Sequence, residues 1–255
     1  MPDIYDDTTE DAFLGGRLKL RQPKTGHRAG HDAILLAAAT RAVPGQRVVD
    51  FGAGVGTAGL ALAKRVGDLR LHLIELDPGL AALARDNAAA NALPASISTM
   101  DIDAGAAAFA AAGLPPDSAD VVLMNPPYND AGRHRGSPDV RRRVAHVATE
   151  TTLQTWIHAA RRVLRSGGVL TLIWRADGLV DILVALDRGF GTVAVLPVHG
   201  DPAAAAIRVI VRAVKGGRAP LALLPGIALR DENGRPHPYI EKVLTGNLAL
   251  PLATA

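Results

Sequence analysis

Cysteine is absent from the 255-residue chain. That excludes disulfide bonds, thiolate zinc sites and cysteine nucleophiles. No apolar run is long enough to cross a bilayer, so no membrane anchorage is expected. The stretch from Met1 to Glu10 is acidic and lacks the basic start and apolar core of a signal peptide, so a cytoplasmic protein is expected. Aromatic residues are scarce, at 4%, but the 48% hydrophobic content is ordinary for a globular domain and too high for a disordered chain. The serines, Ser137 among them, form no pattern with acids and histidines that suits a hydrolase triad. His27 and His31 have the four-residue spacing of a metal pair, but no third ligand accompanies them. Pro23, Gly26 and Gly30 oppose a helix there, so a loop or lid is expected and no metal site.

Alanine is abundant and favours helices. Residues 1 to 12 read as frayed, with a short strand to follow at Arg17 to Gln22. From Asp32 onward helices and strands alternate. An alanine-rich helix from Asp32 to Ala42 stops at Pro44-Gly45. Strands are expected at Arg47 to Phe51, Leu69 to Leu76, Ala95 to Met100, Ala119 to Met124 and Val169 to Trp174, with helices between them. This predicts a doubly wound, mostly parallel α/β sheet. Thr192 to Pro197 and Ile207 to Val214 have no helix between them, so they form a C-terminal antiparallel hairpin or lie apart. Seven strands are expected in the sheet. The chain divides into an N-terminal extension or lid over residues 1–30, a core domain over 31–216 and a C-terminal extension over 217–255.

The first core strand runs into Asp50-Phe51-Gly52-Ala53-Gly54-Val55-Gly56. In a doubly wound sheet, ligands sit at the carboxyl ends of the strands. Gly52, Gly54 and Gly56 let the backbone turn tightly against a ligand, ahead of a helix whose N-terminal amides face it. A dinucleotide fingerprint would place glycine where Thr57 stands, and the carboxylate of Asp50 would repel a pyrophosphate. Asp50 suits an amino group instead, which weighs against the alternative of NAD binding. Glu75 closes the second strand, placed to accept from ribose hydroxyls, and Asp101 follows the third, placed to meet an adenine amine. Asp77 and Asp103 are their respective rivals. Each acid taken singly is equally a helix cap or a solvated turn.

A second signal is Asn125-Pro126-Pro127-Tyr128, directly after the apolar strand Val121-Val122-Leu123-Met124. A planar exocyclic amine is a weak nucleophile because its lone pair is delocalised. The Asn125 amide oxygen and the Pro126 carbonyl can each accept one of its two N–H bonds, which aims the nitrogen and stabilises developing charge. Two prolines hold the acceptors in place, and Tyr128 offers a stacking face. The bland alternative for so short a motif is a rigid proline turn.

Together these residues resemble class I S-adenosylmethionine-dependent methyltransferases, whose parallel sheet ends in one antiparallel hairpin. Within them the chain is most similar, over roughly residues 13–215, to the family that methylates the adenine amine in a valine tRNA beside the anticodon. The resemblance implies a Rossmann-like fold, S-adenosylmethionine as cofactor and S-adenosylhomocysteine as product. It implies that Asp50, Gly52, Gly54 and Gly56 hold the methionine part, Glu75 the ribose and Asp101 the adenine, with Asn125, Pro126, Pro127 and Tyr128 catalytic. Gln22 to Arg28, followed by Ala29-Gly30-His31-Asp32, resembles a segment that folds over the cofactor in related enzymes. Methyltransferases that modify glutamine in translation proteins use the same clamp, so a protein substrate stays open beside tRNA or another RNA.

The net charge of +3 is unevenly spread. Basic runs holding Lys24 and Arg28, and Arg133, Arg135, Arg141 and Arg142, are candidate RNA phosphate contacts or solvated surface. Arg161, Arg162 and Arg165 close a helix, where the dipole accounts for them. Trp156 and Trp174 read as core, and Asp32 as a helix cap or a contact near the active site.

Overall fold

The computed structural model describes residues 7–25, 28, 30–127 and 152–254. Its first element is β1 (Thr8–Phe13), paired antiparallel with β2 (Leu18–Pro23). A frayed start was the expectation, because the acidic β1 sequence shows no apolar alternation of its own. Its order comes from its partner: Leu18, Leu20 and Gln22 alternate inward along β2 and are fully or almost fully buried. Gln22 and Arg28 both donate to the Asp11 carboxylate on β1.

After α1 (His31–Ala39) come β3 (Arg47–Phe51), α2 (Thr57–Val66), β4 (Arg70–Glu75), α3 (Pro78–Ala90) and β5 (Ala95–Thr99). Then follow α4 (Ala106–Ala111), β6 (Ala119–Met124), a helix α5 over 152–163, and β7 (Leu164–Arg175). The remaining elements are α6 (Leu179–Leu186), β8 (Phe190–His199), β9 (Ala206–Lys215), β10 (Ala222–Leu223), β11 (Ile227–Ala228), α7 (Pro238–Leu244) and α8 (Pro251–Thr254). The main sheet runs in the order β5-β4-β3-β6-β7-β9-β8-β10, with β11 also on β8. Every pairing is parallel except those of β9, which lies antiparallel between β7 and β8. The parallel sheet with its hairpin is therefore as expected. The strand count is corrected from seven to nine, because two-residue strands from the C-terminal segment cover the otherwise open edge of β8.

Alternation within each strand feeds two helical layers. Val48 on β3 packs with Leu35 of α1, Leu60 of α2 and Ala84 of α3. Val49 and Phe51 pack with Phe109 of α4, Ile157 of α5 and Ile182 of α6. Val243 of α7 and Leu252 of α8 join the first layer. No helix among the described residues is long and apolar enough to cross a membrane. The chain winds from β3 outward through β4 and β5, then returns to β6 on the other side of β3. That reversal opens a crevice at the carboxyl ends of β3 and β6.

Candidate active site

Phe51 and Met124 are partners in the β3–β6 register, so the glycine turn and the Asn-Pro-Pro corner leave the sheet side by side. They border a cavity of about 420 Å³ whose lining includes Asp50, Gly52, Gly54, Thr57, Asn125 and Arg208. Gly52 has φ +66°, and a Cβ there would lie 2.3 Å from the Trp156 ring. Only glycine satisfies both demands. At Gly54, φ is +57° and a Cβ would meet no protein atom within 4 Å, so bare backbone faces the cavity. Trp156, expected as core, is half-buried and fixes the turn from α5; its periodic position in a helix gave no hint of that contact.

Asp50 is 2% exposed, and its Oδ2 accepts the Gly59 N–H of α2 at 2.8 Å. It thus satisfies one of the orphan donors in the first turn of a helix whose own cap, Gly56, has no side chain. Burial pushes its carboxyl up to about 7, helped by the nearby charge of Glu75 and opposed by the Gly59 bond. Glu75 accepts from Gly54 N–H at 2.7 Å and from Asp77 N–H at 2.9 Å. It therefore stitches the glycine turn to the end of β4, with one further lone pair on each oxygen. Asp77 caps α3 by accepting from Leu80 N–H at 2.9 Å. Asp101 lies exposed just beyond β5, accepts from Asp103 N–H at 2.9 Å, and does not line this cavity. Of the predicted cofactor residues, the fold brings Asp50, Gly52, Gly54 and Asn125 to one cavity, holds Glu75 behind them, places Gly56 at the cap of α2 outside the lining and leaves Asp101 to the side.

Further lining comes from the N-terminal part of the chain, from Arg28 and from Gly30 to Ala33. Arg28 lines the cavity and pairs with Asp11, while donating to Thr9 Oγ1 at 2.9 Å and the Pro23 carbonyl at 2.8 Å. Its guanidinium is thereby engaged within the chain. Lys24 is exposed just past β2. Asp32 is not the helix cap expected: Gly30 holds that position, and the Asp32 carboxylate pairs with Arg208 Nε of β9 at 2.9 Å. The two lie 176 positions apart, so no local pattern announces them. Asn87 of α3 is buried; it accepts from Arg21 N–H and donates to the Arg21 and Val55 carbonyls at 2.7–3.0 Å. One amide thus ties β2 to the glycine turn. Tyr128, Arg133, Arg135, Arg141 and Arg142 lie outside the described residues.

The donor set fits an amino-acid nucleoside. Asp50 offers an acceptor for an amine, the glycine turn offers backbone, and Thr57 Oγ1 is buried on the lining without a hydrogen-bond partner. Arg208 and Arg28 also line the cavity, paired with Asp32 and Asp11 respectively.

Comparison with known proteins accords with this geometry. The model of the methyltransferase small domain matches residues 30–200. The chain is 31% identical over 176 residues to a tRNA1(Val) (adenine(37)-N6)-methyltransferase of Porphyromonas gingivalis, covering 68% of each. It is 31% identical over 192 residues to a release factor glutamine methyltransferase of Chlorobaculum tepidum, covering 72% of this chain and 64% of that one. Among solved structures, a predicted O-methyltransferase of Agrobacterium tumefaciens superposes with a TM-score of 0.72 at 30% identity, over 86% of this chain and 98% of the other. Fold, crevice and relatives agree: the chain belongs to the methyltransferase small domain family, and is a class I S-adenosylmethionine-dependent methyltransferase.

Proposed function

We propose that the protein methylates the exocyclic amine of an adenine in tRNA. The observation that carries this reading is Asn125, which lines the same cavity as Asp50, Gly52 and Gly54. An amide acceptor and the cofactor turn thus border one space. S-adenosylmethionine supplies a methyl group made electrophilic by its sulfonium. Asp50 would hold the amino group of that cofactor, the glycine turn its methionine backbone and Glu75 the ribose, while Asp101, which stands beside the cavity and not on its lining, would meet only an adenine that extends past the end of β5. The Asn125 amide oxygen and the Pro126 carbonyl accept the two N–H bonds of the target amine, and Tyr128 stacks on the base. Pro126 is buried and Pro127 exposed, so the corner is anchored on one side and open on the other. The amine loses its proton after attack, so no general base is required; a hydroxyl nucleophile would need one. Lys24, Arg133, Arg135, Arg141 and Arg142 would meet the RNA backbone, whereas Arg28, engaged by Asp11, Thr9 and the Pro23 carbonyl, borders the cavity instead. The Porphyromonas relative supports an RNA substrate.

The Chlorobaculum relative supports a second reading, transfer to a glutamine side chain of a translation protein, which the same pair of acceptors would serve. One experiment separates them. The enzyme is incubated with methyl-labelled cofactor and either unmodified bulk tRNA or a ribosome-free protein fraction, and tRNA nucleosides are resolved by mass spectrometry. N6-methyladenosine in the tRNA is expected. Label confined to protein, or to a ribose oxygen, would overturn the adenine reading.

A further inference from the structure

A second cleft, of about 510 Å³, lies between α5, α6 and the loop after β5, apart from the cavity just described. Its wall holds His158, Arg161 and Arg162 from α5 and Arg188 from the turn after α6, with Asp103 as its one carboxylate. Among the described residues none of the three arginines is in an ion pair, whereas Arg165, only three positions past Arg162, pairs with Asp120 at 2.7 Å. A helix dipole accounts for cations near a helix end; it does not account for three guanidiniums converging on a concavity.

Arg161 and Arg162 are held in place by groups that leave their charge unspent. Arg161 Nη1 donates to the Arg188 carbonyl at 3.0 Å, and Nη2 lies 3.3 Å from His158 Nδ1. Gly189 makes this possible: a Cβ there would approach Arg161 Cδ to 2.9 Å. Arg162 Nη2 donates to the Ala104 carbonyl at 3.1 Å, its guanidinium sits 4.6 Å over the Phe109 ring, and its Nε is buried with no partner. Each guanidinium carries five N–H donors; Arg161 and Arg162 are positioned by the bonds above with donors to spare, and the exposed Arg188 side chain reaches the same cleft. The loop that forms one wall also carries Asp101, and α5 presses Trp156 onto Gly52, so the cleft adjoins the flank of the methyl-transfer crevice.

We propose that this cleft binds a backbone phosphodiester of the RNA whose base is methylated, making it a docking site one or more nucleotides from the target. The proposal rests on the RNA reading above. The non-bridging oxygens of a phosphodiester match the planar forks of Arg161 and Arg188, and the open cleft admits the flanking sugars.

The test is fluorescence anisotropy of end-labelled, unmodified tRNA over a series of KCl concentrations, with wild type, Arg188→Gln and Arg161→Gln/Arg188→Gln. The double variant is expected to bind about tenfold more weakly, and its slope of log affinity against log salt to fall by roughly one to two. Cofactor affinity by calorimetry stays at the wild-type value in both variants, and the thermal midpoint of Arg188→Gln is unchanged. Arg188→Gln alone removes an exposed side chain whose loss cannot unfold the protein, and it is expected to shift affinity and slope in the same direction. Wild-type RNA binding that both variants retain overturns the cleft while the RNA reading stands. If wild type neither binds tRNA nor methylates it, both fall. Polyglutamate competing as well as RNA of equal charge would also overturn the assignment to phosphate.

Discussion

Replacing Asp50 by asparagine tests the central electrostatic feature of the crevice. Burial holds the Asp50 carboxyl at about 7, against 3.8 for the ordinary group. The folded protein therefore keeps a proton that the unfolded chain releases as pH rises from about 4 to about 7. Stability falls across that window, and above it the native state carries a buried charge. A shift of about 3 units at roughly 1.4 kcal/mol each amounts to about 4 kcal/mol. The substituted amide cannot titrate, yet it keeps an oxygen for the Gly59 N–H. The stability of Asp50→Asn relative to wild type should thus be level below pH 4 and rise by about 4 kcal/mol by pH 8, measured by urea unfolding without cofactor. Subtracting the two proteins removes every other titrating group. A difference that stays flat from pH 4 to pH 8 would refute the argument that this carboxylate is strained by burial. In its proposed role the carboxylate meets a cationic amine, which draws it back to the charged form. Wild-type cofactor affinity should then increase with pH through 7, and the amide variant should bind weakly with no such rise.

Gly52→Ala sets a Cβ 2.3 Å from the Trp156 ring at a left-handed φ, so it should cost at least about 2 kcal/mol in unfolding free energy and abolish cofactor binding; calorimetry at wild-type affinity would contradict the packing argument. Asn87→Ala leaves the Arg21 N–H and the Arg21 and Val55 carbonyls without their partner, and should lower stability by about 2–4 kcal/mol and speed amide exchange in β2, read by hydrogen-exchange mass spectrometry. Asn125→Ala should reduce methyl transfer by roughly 10²–10³-fold with cofactor affinity nearly intact, and a variant with wild-type turnover would remove the amine clamp.

The core strands were legible because each is a short aliphatic run ended by glycine, proline or an acid. The strands expected at Arg47–Phe51 and Ala119–Met124 occupy those residues. The hairpin of β8 and β9 followed from a missing helix. β1 was not legible, since Thr8–Phe13 is acidic and gains its strand only by pairing with β2. Nor were β10 and β11, at two residues each, long enough to show a period. Gly52 and Asp50 stood out in the sequence, but the reasons differ in part from those first apparent: Gly52 makes room for Trp156, and Asp50 also caps α2.

What the order of residues determined alone was the alternation of strands and helices, the glycine turn after the first core strand and the prolyl corner after the fourth. These are local signals, carried by neighbours within a few positions. Tertiary structure decided the remainder: Arg208 meeting Asp32, Asn87 joining β2 to the turn, and Arg161, Arg162 and Arg188 converging on one cleft. Such contacts join residues tens to hundreds of positions apart, and only the packing of the sheet and its helices brings them within bonding distance.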